Sequence, residues 1–459
     1  MVARGPLDAY LAERTRLIAT ATPGTQAARE LSDLTDEAIV ARAAMASSHV
    51  RTPFALFALG GYGARRLLPA SDIDLLIVPK GTRADLDPLV RDVLYPLWDA
   101  GLKVGHQVRS PAAQLAAVRE DLENATGFLT ARFIAGDATL AQRVMTDTFR
   151  SLRKDTRALT RQMLARERPG SPYLLDPDLK DGAGGQRDLD EMAWHAALRT
   201  GQTNAGLSAL ASEGLLTRAE VELLDAAQET LTAARFLLHR ADPRRGNLLG
   251  LDAAEIDGLD CQLVQDALAH VHHTLLDFRD RLGGRPGATA RGGALADLRR
   301  LAAGDDETLQ GAERAAHRGL FDAAIPSFSA LMTLRRPALS HRYTVGAHSL
   351  RAVAAVGPSL DTLGADRVDP AMRDATLVAA LAHDVGKRDP GPGHAARGAA
   401  QAEETARALG LDARYAEAAG TLVAEHLLLA EMTAHADPTD EDAVLAAAAR
   451  LGDGSLVAP

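Results

Sequence analysis

The chain has 459 residues, 46% of them hydrophobic and 24% charged, with a formal net charge of 51 − 61 = −10. That is ordinary globular material, enough for about three domains, and it excludes a disordered or fibrous chain. An acidic chain with 4% aromatic residues is a poor nucleic-acid coat, because it neither attracts the phosphate backbone nor offers stacking platforms. The one cysteine, Cys261, allows no internal disulfide or multi-cysteine zinc site and fits a reducing cytosol. No stretch reaches the roughly 20 apolar residues of a membrane-spanning helix, and the N-terminal residues lack a signal-peptide core. A cytoplasmic protein is expected.

Most of the chain reads as helix, with apolar residues three and four apart. In chain order, residues 28–48 form one such segment. Two β-rich runs follow, Phe54–Leu59 and Ile73–Val78, with the turn signal Gly60-Gly61-Tyr62-Gly63 between them. Helix resumes over Leu86–Ala100, a short extended piece spans Lys103–Arg109, and helices are expected from there to about Arg168. Arg168–Gly185 is rich in Pro, Gly and Asp and reads as a boundary or an ordered loop. A helical middle region of about 186–283 follows, with Trp194, Phe236 and Leu237 as core. Gly283–Gly293 reads as a flexible linker, and the last region, about 297–459, is again helical.

Two constellations carry chemistry. In the first, Asp72 and Asp74 stand two apart at the start of a strand, so both project from one face while Ile73 and Leu75 pack. Two such carboxylates repel unless a cation lies between them. Mg²⁺ (or Mn²⁺) takes oxygen ligands and leaves room for phosphate oxygens. Gly60 and Gly61, just after the preceding strand, let backbone N–H groups approach a triphosphate. Metal-assisted transfer of a nucleotidyl group is what this combination serves. The plain alternative is a glycine turn beside a solvated aspartate pair.

In the second, His383-Asp384 ends an apolar helical run, with His348 before it and His394 and His426 after it. Histidines and a carboxylate converging inside a helical bundle can hold a metal that activates water against a phosphodiester. His341 is read as structural. His239, His270, His272 and His273 are not expected to form a metal site, because His-x-His-His on one helix cannot aim three rings one way.

The segment GGYGARRLLPASDIDLL resembles the GGYGR-x-EL-x-P-x-SDIDLL signature of the bacterial PII-protein uridylyltransferase/uridylyl-removing enzymes. Trp98–Arg109, Asp121–Arg132 and Asp176–Asp188 (DPDLKDGAGGQRD) resemble further stretches of that family. The order H-R-Y-T-V-x-x-H, HD-x-GK, G-H-x-x-x-G, H-L-L-L resembles its HD domain. The resemblance covers most of residues 50–440. It implies an α+β architecture: a polymerase-β-like nucleotidyltransferase domain with N-terminal helices (1–168), a helical linker and substrate-binding region (169–290) and an all-α HD-type metal phosphohydrolase domain (297–459).

It also implies transfer of UMP from UTP to a tyrosine of a PII nitrogen-regulatory protein, with Mg²⁺ or Mn²⁺ as cofactor and hydrolytic removal by the HD domain. No nucleic acid or membrane is expected as a partner. By the match, Asp72 and Asp74 hold metal, Asp121 is the third carboxylate with Asp99 behind it, and Gly60, Gly61, Ser71 and Arg109 bind nucleotide. Asp121 reads equally as a helix N-cap, and His106 as a strand-edge histidine. His348, His383 and Asp384 are the implied direct ligands of the second metal, and Lys387, His394 and His426 line its phosphate site. Asp178, Lys180, Arg187 and Asp188 are placed near the nucleotide cleft by resemblance alone.

Departures are Ala64 and Arg66, where the signature has Arg and Glu, and Glu425 beside His426, where paired histidines are usual. The final HD aspartate has no counterpart, Asp453 being a poor substitute, and the C-terminal ACT domains of the family are not found. Either a natural short form or a truncated chain is expected, with an incomplete HD site. Two alternatives remain: a paralogue that binds nucleotide or PII without turnover, and a tRNA nucleotidyltransferase. The net charge and the motif order argue against the second.

Overall fold

A computed structural model describes residues 6–47, 50–81, 86–166, 170–284, 293–337, 341–362, 368–435 and 440–452. The chain divides into two compact units, one of Met1–Pro172 with Pro177–Arg285 and one of Tyr173–Asp176 with Pro286–Pro459.

The first unit is built on a four-stranded mixed sheet, ordered β3-β2-β1-β4. The strands are β1 (Phe54–Ala58), β2 (Ile73–Pro79), β3 (Val104–Val108) and β4 (Arg132–Gly136). β1 runs antiparallel to β2 and β4, and β2 is parallel to β3. Every residue of β1 is buried. A strand covered on both faces reads as an unbroken apolar run, here FALFA. Ile73, Leu75 and Ile77 pack one face against Leu31, Ile39, Val93 and Leu97 of the N-terminal and crossover helices. Phe57, Leu76 and Val78 pack the other against Val118, Ala125, Phe128, Val144 and Trp194.

β4 overturns part of the sequence expectation, which ran helix through this stretch. Its five residues are bracketed by the helices Leu122–Phe128 and Ala138–Lys154. Pairing with β1, including a register irregularity at Leu56/Phe57, supplies the strand. Tertiary pairing outweighs local propensity in so short a piece.

The middle helices Gln186–Thr200, Arg218–Ala241 and Cys261–Leu282 belong to this same unit. Leu189, Met192, Leu231, Leu238, Leu268 and Phe278 form their core. Thr217 and Glu220 make a capping box at the start of the second helix. The buried Glu191 takes a two-pronged hydrogen bond from Arg279, both contacts at 2.7 Å. Trp194, Phe236 and Leu237 are all buried, as expected.

The second unit is all-helical, with the isolated bridge Leu174↔Tyr343 joining its two chain segments. Its central helices are Val345–Thr362, Pro370–Ala382, His394–Ala408 and Ala413–Ala424. Gly398 lets two of them touch: a Cβ there would stand 3.2 Å from the Ala382 carbonyl oxygen and 3.3 Å from that of His383. Together the two units give the α+β class expected. Most of the Gly283–Gly293 linker, and Asp453, lie outside the described residues. No described helix is long and apolar enough to cross a membrane.

Phe57 is fully buried, its ring centroid 6.3 Å from that of Phe128 and 6.1 Å from that of Phe133. Phe57→Ala is expected to cost about 3–5 kcal/mol, read as a lowered urea midpoint. Burial holds the neutral form of His195, with its pKa lowered from 6.5 to about 3. Its Nε2 has no hydrogen-bond partner among the described residues. In the unfolded chain it protonates near 6.5, so stability is full above that pH and falls as the pH drops toward 3. His195→Phe is expected to flatten the stability–pH slope across that window, measured by denaturant unfolding at several pH values.

Candidate active sites

The first site grows from the β1–β2 connection. Leu59 N–H donates to the Asp74 carbonyl, and the chain then winds through one tight turn, Gly60–Gly63. Gly60 has φ +57°, which a side chain would resist. Gly63 has no room for a Cβ, which would strike the Thr130 and Ala58 carbonyl oxygens. Tyr62 is buried and donates to Asp36 at 2.6 Å, and Asp36 is in turn paired with Arg132. The turn is thus pinned from beneath.

β2 begins at Ile73, so Asp72 lies one residue before it and Asp74 within it. Ile73 and Leu75 are buried, whereas both aspartates reach solvent. The parallel register sets Gly105 beside Asp74. A Cβ on Gly105 would come within 2.7 Å of Asp74 Oδ1, and one on Gly60 within 3.4 Å of Oδ2. The Asp74 carboxylate therefore sits in a slot between two glycines. Burial and the nearby charge of Asp72 push its pKa up, while Lys180 and Arg187 oppose the shift. That is the signature of a carboxylate pair close enough to repel.

Two hollows meet at Asp74. The larger, about 650 Å³, is lined by Gly60, Gly61, Asp74, Arg109, Asp121 and Asn124, among others. The smaller, about 260 Å³, is lined by Gly60, Gly61, Ser71, Asp72, Asp74, Lys180 and Arg187, among others. All seven residues assigned from sequence to catalysis or nucleotide binding at this site thus line one or both, with Arg109 and Asp121 facing the larger only. Arg109 donates to Asn124 Oδ1 at 2.8 Å and to Gln114 Oε1 at 3.2 Å; burial lowers its pKa against the pull of Asp121. Asp121 is the N-cap of Leu122–Phe128, accepting from Asn124 N–H at 2.8 Å, and it also faces the cleft. Asp99 lines neither hollow. The His106 ring packs on Trp98, with centroids 5.5 Å apart.

Several contributors escaped motif reading. Arg66, noted only as a departure, lines both hollows and pairs with Asp190 at 2.5 Å. Gly105 carried no signal, since its role depends on register with a strand about thirty residues earlier in the chain. Lys180 and Arg187 line the smaller hollow; Asp178 and Asp188 do not, and instead hold their loop from within. His239 lines the smaller hollow as well, its Nδ1 accepting from Ala70 N–H at 3.3 Å. Burial drops its pKa to about 4.

The second site converges on Asp384, which is 1% exposed at the end of Pro370–Ala382. His383 Nε2 and His348 Nε2 lie 3.4 and 3.8 Å from Oδ2. His394 Nε2 and His426 Nε2 lie 3.7 and 3.9 Å from Oδ1. The Nδ1 atoms of His383 and His426 each face a backbone carbonyl, at 2.9 Å (Ala380) and 2.7 Å (Val423). A carbonyl only accepts, so these rings carry hydrogen on Nδ1 and turn Nε2 toward Asp384. Asp384 Oδ1 and His394 Nε2 are buried without a hydrogen-bond partner among the described residues. Buried lone pairs facing one another are costly unless a cation joins them.

Two groups could each hold a metal ion and share the aspartate: His348, His383 and Asp384, and Asp384, His394 and His426. Lys387 Nζ sits 2.7 Å from Asp384 Oδ2 and 2.8 Å from His341 Nε2. His341, read as structural, is therefore part of this cluster. Burial works against the charged form of Asp384, but contacts from His383 and Lys387 hold its pKa well below the ordinary carboxylate range. Burial lowers His348 to about 4 and also lowers His341, His394 and His426. Neutral imidazoles beside an ionised carboxylate are what a divalent cation requires. Among the described residues, Asp384 is the one carboxylate in these groups.

Comparison with known proteins now bears on both sites. Residues 154–270 match the family model of GlnD PII-uridylyltransferase, and residues 340–451 match the HD domain. A bifunctional uridylyltransferase/uridylyl-removing enzyme of Streptomyces coelicolor is 30% identical over 96% of this chain and 62% of its own length. That of Corynebacterium glutamicum is 28% identical over 85% of this chain and 64% of its own. That of Methylococcus capsulatus is 35% identical over 55% of this chain and 29% of its own. The chain thus spans less than two thirds of the length of each of these relatives. Both domains are present in order and the alignment to such a relative runs over as much as 96% of this chain, so the chain is similar to the bifunctional uridylyltransferase/uridylyl-removing enzymes.

Proposed function

We propose that the first unit transfers UMP from UTP to a tyrosine hydroxyl of a PII signalling protein in the cytoplasm. The observation that carries this reading is the convergence of Asp72 and Asp74 on the Gly60-Gly61 turn in one cleft. The relatives' names support the nucleotide and the acceptor. In the reaction the phenolic oxygen bonds to the α-phosphorus and its proton passes to water. The bond from that phosphorus to the bridging oxygen breaks, and pyrophosphate departs with the electron pair.

Asp72, Asp74 and Asp121 are the groups that would hold Mg²⁺ or Mn²⁺, which supplies positive charge to the phosphates when bound. The glycine turn presents backbone N–H groups to the triphosphate. Arg109, fixed by Gln114 and Asn124, holds a positive charge on the wall of the larger hollow. Ser71, whose Oγ accepts from Leu68 N–H at 3.2 Å, keeps its hydroxyl on the smaller hollow.

We assign to the second unit hydrolysis of the phosphodiester so formed. His348, His383, Asp384, His394 and His426 would hold divalent metal, which lowers the pKa of water when bound. Lys387 holds a positive charge against Asp384, where a phosphate oxygen can be met. The single carboxylate among the described groups favours a second reading for this unit alone: phosphate binding without turnover.

Incubation with a PII protein, α-labelled UTP and Mg²⁺ is expected to label the PII tyrosine. Asp72→Asn and Asp74→Asn are expected to slow labelling by about 10²–10³-fold or more. No labelling by the unaltered chain, or full labelling by Asp74→Asn, would sink the transferase reading. Mn²⁺ is expected to raise the unfolding temperature of the second unit's transition, and Asp384→Asn to remove most of that rise. Release of UMP from labelled PII by the unaltered chain, and its loss in Asp384→Asn, separates hydrolysis from mere binding.

A further inference from the structure

The transferase reading uses the carboxylates and the glycine turn of the smaller hollow but gives its basic side chains no role. This hollow shares Gly60, Gly61, Arg66, Asp74, Arg187 and Asp190 with the larger one. Its own lining is cationic. Arg66 and Asp190 are paired with each other at 2.5 Å. Besides them, Lys103, Lys180, Arg187 and Arg235 surround the two aspartates Asp72 and Asp74. A hollow with more cations than carboxylates, beside the position of the α-phosphate, suits a polyphosphate.

Lys180 and Arg187 come from one loop whose construction fixes them side by side. Asp178 Oδ1 accepts from Lys180 N–H at 2.7 Å and from Asp181 N–H at 2.9 Å. Arg187 N–H donates to the Lys180 carbonyl at 2.9 Å, and Gln186 N–H to that of Leu179 at 3.0 Å. Asp188, fully buried, accepts from Gly184 N–H at 2.7 Å. Gly184 has φ +77°, and a Cβ there would collide with the Leu268 carbonyl oxygen. Gly185 is closed off likewise, by the Gly182, Leu179 and Lys180 carbonyl oxygens within 3.0 Å. Two side chains leave this compact loop toward the hollow. Arg187 is drawn on by Asp181 at 3.2 Å and Asp190 at 3.8 Å. Lys180 Nζ makes no hydrogen bond or ion pair among the described residues, although it stands near enough to Asp74 to be felt there. A half-buried lysine on a loop pinned by these backbone hydrogen bonds, with no side-chain partner among the described residues, is placed for a ligand.

We infer that Lys180 and Arg187 bind the β- and γ-phosphates of the incoming nucleoside triphosphate, and then the pyrophosphate that leaves. The inference rests on the transferase reading but assigns groups that its carboxylates do not supply. It makes the loop before the middle helices part of the nucleotide site.

The test is calorimetric titration of the full chain with Mg²⁺ present, using UTP, pyrophosphate and UMP in turn. Lys180→Gln and Arg187→Gln are each expected to weaken UTP and pyrophosphate by about tenfold or more, the loss of a charge-assisted contact. UMP, which has no β- or γ-phosphate, is expected to bind within about twofold of the parent, on the same reasoning. Thermal unfolding of Lys180→Gln is expected to be unchanged, since it breaks no internal contact. In the labelling reaction the UTP KM and the pyrophosphate inhibition constant are expected to rise together. Arg187→Lys is expected to restore part of the affinity.

Equal pyrophosphate affinity in Lys180→Gln and parent would overturn the assignment. So would a loss of UMP binding as large as that of UTP, which would mark a role in shaping the cleft. A parent chain that binds UTP and pyrophosphate in this pattern but never labels PII would defeat the acceptor reading and leave this one supported. A parent that binds neither would defeat both.

Discussion

The slot around Asp74 is the constraint on which the transferase half depends. A carboxylate flanked by Gly60 and Gly105 has no side chain to shield it from Asp72, and partial burial adds to its discomfort. The slot exists because β2 and β3 are parallel and in a register that sets Gly105 against Asp74. That parallel pairing needs a crossover, which the residues between the strands supply while burying Leu89, Val93, Leu94 and Leu97 beneath the sheet. The packing that makes the sheet also makes the electrostatic tension at its rim. A sheet rim that holds two like charges together is suited to binding a cation and little else.

The cleft also shows why the middle helices cannot be treated as a spacer. Arg66, in the turn after β1, reaches Asp190 and Gln228 on two different helices of that region. Glu229 takes hydrogen bonds from Thr25 at the start of an N-terminal helix. His239 accepts from the backbone next to Ser71. These contacts span more than a hundred residues of sequence and fasten the helical bundle around the strand end that carries the aspartates. Change in the bundle is therefore transmitted to the cleft through hydrogen bonds whose partners are individually named.

Much of this was legible from the sequence, and the reason is locality. The aspartate pair, the glycine turn and both flanking strands are encoded within about 25 consecutive residues, where strand alternation alone decides which side chains are buried. His383-Asp384 was legible for the same reason, as two neighbours at a helix end. The convergence of His348, His394 and His426 on it needed the motif order as a guide, because periodicity does not say which helices meet. β4 was missed because five residues between helices carry little signal of their own, and its strand state comes from β1. His341 was underrated because its partner, Lys387, lies 46 positions away. Gly105 was invisible because its smallness matters to a residue on another strand.

Asp384 joins two triads through opposite oxygens of one carboxyl group. Such sharing removes their independence. Whatever settles against one oxygen draws electron density from the other and pulls on the same rigid side chain. Occupancy at one triad would therefore change the affinity of the other. A titration curve from this unit would then be steeper or shallower than two separate pockets could produce, and its shape would report on one carboxyl group.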